Sequence, residues 1–98
     1  KLIDTTIYSV RYTYDLAKQA ANVAKHGVFF AAADAFEWET AYIEADRRRA
    51  YGETRFIATG LIGERVHVLV FHLRETSVRI ISLRRANRRE VTNYAHHN

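Results

Sequence analysis

The sequence contains no cysteine, and this absence excludes disulfide bonds and thiolate metal sites. No apolar run approaches the ~18 residues that a membrane-spanning helix needs, and no apolar signal-peptide core precedes a small-residue cleavage site. We therefore expect a soluble, cytoplasmic protein that does not associate with a membrane. Methionine is absent as well, so we expect the start at Lys1 to result from trimming or processing.

The length and the composition predict one folded domain. A chain of 98 residues has room for a single hydrophobic core. A hydrophobic content of 48% with 27% charged residues is typical of a globular protein and not of a disordered one. We expect a single domain over residues 1–98, in which residues 1–6 form a loose N-terminal extension.

Positive charge is concentrated in the second half of the chain. Residues 1–46 contain four Lys or Arg against seven carboxylates, a net charge of −3, whereas residues 47–98 contain eleven Arg against four Glu, a net charge of +7. The planar guanidinium pairs with phosphate through two hydrogen bonds. This distribution predicts an anionic partner, nucleic acid or an acidic protein segment, although a solvated basic surface explains it equally well.

Hydrophobic periodicity predicts the element order β-α-α-β-β-β-β-α. Strands grouped in the second half, with helices before and after them, indicate an α+β fold. We expect a mainly antiparallel sheet of four to five strands with two N-terminal helices and one C-terminal helix, the helices on one face and the other face free for a ligand. The predicted strands cover residues 7–12, 39–45, 54–62, 65–74 and 77–83, and the second and last helices cover residues 29–36 and 84–96.

The first helix has clear signals at both ends. Thr13 or Asp15 can cap its start, and Gly27 can adopt the left-handed conformation that ends a helix. Apolar residues at helical spacing predict which side chains of the first two helices face the core: Leu16, Ala20, Val23 and Ala24 in the first, and Phe29, Ala32, Ala33 and Phe36 in the second.

Strand alternation brings a carboxylate and a guanidinium together. Glu53 and Arg55 are two residues apart and share a face, and Arg79 lies on a neighbouring predicted strand. Such a group suits phosphoryl transfer, in which Glu53 takes a proton from a ribose 2′-hydroxyl and the arginines hold the phosphate. A purely structural ion pair of Glu53 with Arg55 or with Arg79 is the alternative.

The histidines do not predict a metal site. His67 and His72 are an odd number of residues apart on one strand, so they point to opposite faces. His26 ends the first helix, where a C-terminal cap is the better-supported role and acid–base catalysis the alternative. The carboxylates Asp4, Asp15, Asp34 and Asp46 are too dispersed for a two-metal nuclease centre. We expect no metal ion and no cofactor.

The densest basic cluster lies near the C-terminus. If residues 84–96 are helical, Arg84 and Arg88 form one i, i+4 pair and Arg85 and Arg89 another, which predicts a stripe of four arginines. Tyr94 either stacks on a nucleobase or packs beneath the sheet.

Three blocks of the sequence resemble the BrnT family of toxins. They are Y-T-Y-D-x-x-K-x-x-x-N-x-x-K-H-G-V-x-F at residues 12–30, G-E-T-R at 52–55 followed by Gly60, and R-I-I-S-L-R-R-A-N-R-R-E-V-T-N-Y at 79–94. The resemblance covers nearly the whole chain from residue 10 onward. Tyr12 and Tyr14 stand where the family often has Phe and Trp, and Leu83 stands where a small residue is usual.

The resemblance implies a RelE-like α+β fold and metal-independent cleavage of RNA by the toxin of a type II toxin–antitoxin pair. The implied partner is a BrnA-type antitoxin. The toxin would contact DNA only indirectly, through its complex with this antitoxin. Asn22 is expected to bond a loop backbone, and Ser82 or Glu90 to cap or brace the final helix. The candidates for catalysis are Glu53, Arg55, Arg79, Arg84, Arg85 and His26, and those for RNA binding are Lys18, Lys25, Arg88 and Tyr94.

Two further hypotheses use the same arginine-rich surface. One is a non-catalytic RNA- or DNA-binding or regulatory module, which predicts salt-sensitive binding without cleavage. The other is a decayed toxin that retains only the binding of its antitoxin.

Overall fold

The computed structural model describes residues 10–48 and 52–98. Two α-helices and five strands account for most of them, and two 3-10 helices, Phe30–Ala35 and Trp38–Thr40, lie between α1 and β2. The elements in chain order are β1 (Tyr12–Thr13), α1 (Leu16–His26), β2 (Tyr42–Asp46), β3 (Arg55–Ile62), β4 (Arg65–Arg74), β5 (Ser77–Arg85) and α2 (Arg88–His96).

The strands form one sheet in the order β1-β5-β4-β3-β2. β1 runs parallel to β5, and the other neighbours are antiparallel, as predicted. Two-residue turns join β3 to β4 and β4 to β5, and Gly63 provides the positive φ of +63° in the first turn. The predicted extension at residues 1–6, and all but the end of the predicted strand at 7–12, lie outside the described residues.

The core lies between one face of the sheet and the segment that contains α1 and the first 3-10 helix. Its largest fully buried side chains are Phe30, Leu69, Ile80 and Leu83. The predicted second helix is a 3-10 helix in which Phe30 and Ala33 are buried, and Phe36, directly after it, is buried as well. Phe29, which was predicted to face the core, is 61% exposed.

Helix α1 begins and ends as predicted but presents a different side to the protein. Asp15 caps its first turn through Ala17 N–H, and Gly27 ends it with φ +71°. Leu16 is 73% exposed, so the predicted apolar stripe does not face the core. The buried residue is Asn22, because the helix packs beside the edge of β5 where backbone groups need partners.

The Asn22 side chain completes the sheet where β1 ends. Its amide nitrogen donates to Leu83 O at 2.7 Å and to Val28 O at 2.9 Å, and its oxygen accepts from Leu83 N–H at 3.2 Å. One amide thus satisfies both backbone groups of Leu83 as a neighbouring strand would. The prediction that Asn22 bonds a loop backbone is confirmed by its contact with Val28.

The last helix starts four residues later than predicted. Arg84 and Arg85 belong to β5, and α2 is capped by Asn87, whose side chain accepts from Glu90 N–H while Glu90 accepts from Asn87 N–H. This reciprocal capping box fixes the helix start. The predicted helical stripe of four arginines is therefore wrong, whereas the prediction that Glu90 caps the helix is confirmed.

Helix α2 covers part of the sheet face opposite the core. Glu90, Asn93 and Tyr94 line a cavity together with Ile57 and Val70, which alternate with the core residues of β3 and β4. The expectation that all helices lie on one face is wrong for α2. We call this whole face, opposite the core, the site face, and beyond α2 it has polar side chains that are half-exposed or buried.

Gly60 is a point of close approach between β3 and the segment before β2. A Cβ atom at this position would lie 2.8 Å from Phe36 Cζ and 3.1 Å from Ala41 Cβ. Because Phe36 is buried, we expect Gly60→Ala to lower the free energy of unfolding by about 1–3 kcal/mol. Urea denaturation measures this loss, and an unchanged midpoint would show that Phe36 moves aside without cost.

Candidate active site

Polar side chains form a row across four strands on the site face. The strand register places Asp46 opposite Arg55, Arg55 opposite His72, and His72 opposite Arg79. Residues directly opposite each other point to the same face. Two guanidinium groups therefore lie on neighbouring strands on either side of one imidazole. We call these four residues the central row.

A β-bulge in β5 determines which arginines share this face. Val70 is opposite Ser82 and Phe71 is opposite Ile80, so Ile81 is an extra residue in β5. Arg79 and Arg84 are an odd number of residues apart and would point to opposite faces in a regular strand. The bulge puts both on the site face and turns Arg85 towards the other one.

His72 is held in one tautomer. Its ring is nearly buried, with 8% of the residue exposed, and Nδ1 lies 3.1 Å from Thr54 O. A carbonyl oxygen only accepts, so Nδ1 carries the hydrogen and Nε2 of the neutral ring keeps a lone pair. This is the state in which a histidine acts as a base.

Glu53 stands at the end of the central row, just before β3. Its Oε2 lies 3.9 Å from His72 Nδ1 and 3.0 Å from Arg74 Nε, and its Oε1 lies 3.3 Å from an Arg74 terminal nitrogen. Glu53 thus forms its ion pair with Arg74 and not with Arg55 or Arg79. The carboxylate is close enough to His72 to stabilise a positive imidazolium.

Arg84 and Glu90 form a second charged pair on the same face, beneath α2. Both guanidinium–carboxylate contacts are 2.8 Å long. The hydrogen bonds that Glu90 accepts from Arg84 lower the pKa of Glu90 and raise the pKa of Arg84. The pKa of His26, at the end of α1, is lowered by burial first and then by the charges of Lys25 and Arg84.

The central row and Glu53 combine a base with fixed positive charges. A neutral imidazole can accept a proton while the neighbouring guanidinium groups hold an anionic group and offset its charge. Within residues 10–48 and 52–98, no group of three His, Cys, Asp or Glu side chains is placed to hold a metal ion.

A protein-family model described as "Ribonuclease toxin, BrnT, of type II toxin-antitoxin system" matches residues 14–90. The match spans most of the chain. This chain belongs to the BrnT family of ribonuclease toxins. Membership implies an RNA substrate and an antitoxin partner.

The fold agrees with that of a BrnT protein whose structure is known. The chain is similar to the ribonuclease toxin BrnT of Brucella abortus, solved by crystallography at 1.1 Å resolution, with 22% identity and a TM-score of 0.62. The alignment covers 82% of this chain and all of the Brucella chain. A comparison with curated proteins gives no match. No helix in the described part of this BrnT chain is long and apolar enough to cross a membrane.

The structure brings three of the predicted catalytic side chains of this BrnT chain together. Glu53, Arg55 and Arg79 lie in or beside the central row, around His72. Arg84 is on the same face but is engaged by Glu90, and Arg85 is opposite His67 on the other face. His26 lies at the end of α1, next to the edge of β5.

The predicted RNA-binding residues are spread over two helices. Lys18 and Lys25 are exposed on α1, and Arg88 is exposed in the first turn of α2. Tyr94 is half-buried and donates a hydrogen bond to Thr40 Oγ1 at 3.1 Å. Tyr94 also lines the cavity under α2.

Sequence reasoning missed His72 and Arg74 as neighbours of Glu53. Both follow from the two short turns, at residues 63–64 and 75–76, because a two-residue turn fixes the register of its hairpin. Counting outward from the first turn places Arg55 opposite His72, and from the second places His72 opposite Arg79.

The Arg84–Glu90 pair makes the stability of this BrnT chain dependent on acid pH. A carboxylate whose pKa is lower in the folded state contributes stability above its unfolded pKa of about 4.5, and this stability is lost as pH falls through the folded pKa. We expect Glu90→Gln to lower the free energy of unfolding by about 1 kcal/mol at neutral pH. We also expect the free energy of unfolding of this variant to decline less than that of the wild type as the pH falls below about 4.5. Urea titrations from roughly pH 3 to 6 measure both effects. Glu75→Gln, in the exposed β4–β5 turn, is the control, and parallel pH profiles of wild type and Glu90→Gln would contradict the prediction.

Proposed function

We propose that the chain is a metal-independent endoribonuclease that cleaves RNA at the central row through attack of a ribose 2′-hydroxyl. The observation that carries this proposal is the placement of His72 between Arg55 and Arg79, beside Glu53. A base and two phosphate-binding cations are the groups that this reaction requires.

In the proposed reaction, His72 Nε2 takes the proton of the 2′-hydroxyl. The 2′-oxygen bonds to the phosphorus, and the bond from phosphorus to the 5′-oxygen breaks. The departing 5′-oxygen takes a proton from water, the imidazolium returns its proton to solvent, and a 2′,3′-cyclic phosphate remains. Arg55 and Arg79 offset the negative charge on the phosphate oxygens, and Glu53 stabilises the imidazolium.

This assignment moves the role of the base from Glu53 to His72. Both oxygens of Glu53 accept hydrogen bonds from Arg74, whereas the His72 ring, within residues 10–48 and 52–98, forms its hydrogen bond through Nδ1 alone. Arg74 then acts as a positioning residue for Glu53. The other candidates for catalysis are Arg84, Arg85 and His26. An RNA strand can bind along a positive surface to which Lys18, Lys25 and Arg88 contribute.

Incubation of the purified protein with a defined RNA in EDTA tests the proposal. Cleavage that leaves 2′,3′-cyclic phosphate ends supports it. Intact RNA in the presence of folded protein would overturn it. If RNA is bound with steep salt dependence but is not cut, the non-catalytic binding module is the better description.

We further propose a BrnA-type antitoxin as the partner and the cytoplasm as the site of action. The toxin family supports both, because its substrate is RNA and its control is by an antitoxin. DNA contact is then indirect, through the antitoxin complex. Expression of the chain alone should arrest growth, and co-expression with the neighbouring antitoxin gene should restore it; unimpaired growth with folded protein present would contradict toxicity.

A further inference from the structure

The cavity between α2 and the sheet lies directly beside the central row. Two further rows cross the site face parallel to it, the second made by Glu44, Ile57, Val70 and Ser82, and the third by Tyr42, Thr59, Val68 and Arg84. Residues of these two rows form the floor of the cavity, and α2 forms its wall. Successive rows are two residues, or about 7 Å, apart along the strands.

The size of the cavity suits one planar ring. Its volume is about 180 Å³. About six water molecules fill that volume in the liquid, which is enough for one nucleobase but not for a stack of bases. The floor is apolar at Ile57, Val68 and Val70, and two tyrosines stand at the side. Apolar and aromatic surfaces of this kind bind the faces of unstacked bases.

The walls of the cavity are held in place by contacts outside it. Tyr42 stacks on His97 with ring centroids 3.8 Å apart, and Tyr94 is held by Thr40. Arg84 and Glu90 are satisfied by each other. These fixed groups shape the cavity, so recognition of a ligand falls to other polar side chains.

Glu44 is the charged group that remains for recognition, because Arg48 pairs with Asp46 and the other polar lining residues, Thr59 and Asn93, are neutral. Its side chain forms no hydrogen bond or ion pair within the described part of the chain, yet it lines the cavity. A carboxylate offers two acceptor oxygens and no donor. Guanine is the RNA base whose Watson–Crick edge carries two adjacent donors, N1–H and N2–H. Uracil carries one N–H between two carbonyl oxygens, which a carboxylate repels.

We propose that this cavity binds one unstacked guanine of the RNA substrate, with Glu44 accepting from its N1–H and N2–H groups. The inference rests on the proposed function, because it places the scissile phosphate at the central row. One row of separation is comparable to the distance between a phosphate and the base of the same nucleotide. The guanine therefore belongs to a nucleotide next to the cut.

Cleavage of short RNAs with each of the four bases at each position next to the cut tests the proposal. We expect the wild-type protein to prefer guanine at one fixed position by about tenfold or more, as one bidentate contact provides. Glu44→Gln, which replaces one acceptor by a donor, should abolish this preference. Glu64→Gln, in the exposed β3–β4 turn, should leave it intact. Cleavage by the wild type without a base preference would overturn the inference and leave the ribonuclease function standing.

Binding of mononucleotides separates the two proposals when RNA is not cut. We expect guanosine 3′-monophosphate to bind more tightly than uridine 3′-monophosphate by titration calorimetry, and Glu44→Gln to remove the difference. That result without RNA cleavage would support the guanine site and overturn the proposed reaction. Equal affinity of the wild type for both nucleotides would overturn the guanine site.

Discussion

Replacing His72 with glutamine is expected to lower the rate of RNA cleavage by about 10²–10⁴-fold. The glutamine can fill the site of the nearly buried ring but cannot take a proton from a ribose hydroxyl. Growth arrest on expression should disappear with the cleavage. Single-turnover assays in EDTA measure the rate, and circular dichroism melting shows whether the variant folds.

His67 provides a matched control for this substitution. It is on the same strand, is 7% exposed, and its Nδ1 lies 2.9 Å from a backbone carbonyl, that of Arg65. It points to the opposite face from His72. We expect His67→Gln to cost similar stability and to retain cleavage. Equal loss of cleavage in both variants would show a structural role for His72.

Replacing Asn22 with alanine should cause the largest loss of stability among the polar substitutions considered. It leaves Leu83 N–H, Leu83 O and Val28 O without a protein partner, and the position is 6% exposed. Each unsatisfied buried group costs about 1–3 kcal/mol, so we expect a loss near 3 kcal/mol even if water reaches some of them. For a domain of this size, the melting temperature should fall by roughly 10–20 °C.

Lys18→Ala on the same helix is the control for Asn22. Lys18 is exposed, so its removal should weaken RNA binding without a comparable fall in melting temperature. A change at Asn22 that abolishes cleavage at full stability would instead place this side chain in the active site. Amide hydrogen exchange at Leu83 gives a local readout, because its N–H is bonded to Asn22.

The strands could be predicted from the sequence because their signals are local. The predicted bounds of residues 65–74 agree with β4, in which apolar residues run between two short turns. The caps of α1 at Asp15 and Gly27 were predicted for the same reason. A cap depends on the residue at that position and its immediate neighbours, and not on distant contacts.

The wrong predictions concern tertiary contacts. The buried side of α1 was predicted from its apolar residues, whereas the helix packs beside a strand edge whose backbone groups require an amide. The start of α2 was placed too early because the Asn87–Glu90 capping box was not recognised and Arg84 and Arg85 were included in the helix. In both cases hydrogen bonds to the backbone decided the outcome: those of Asn22 decided which side of α1 is buried, and those of the capping box decided where α2 begins.

The candidate site was predicted in part. Glu53, Arg55 and Arg79 were grouped correctly from strand alternation, but His72 was considered only as a metal ligand. The role of His72 depends on the side chains opposite it on the two neighbouring strands. Those side chains follow from the register of the two hairpins and not from residue spacing within β4.

The extra residue in β5 also constrains how this protein can vary. Removal of Ile81 would give a regular strand in which every later side chain keeps its face, because Ser82 would then follow Ile80 directly. Leu83 would remain in the core, and Arg84 would remain on the site face. A single-codon insertion has the opposite effect, because without a second bulge it would exchange the interior of the protein with its site face along the rest of the strand. We therefore expect β5 to tolerate the loss of one residue at the bulge better than the gain of one.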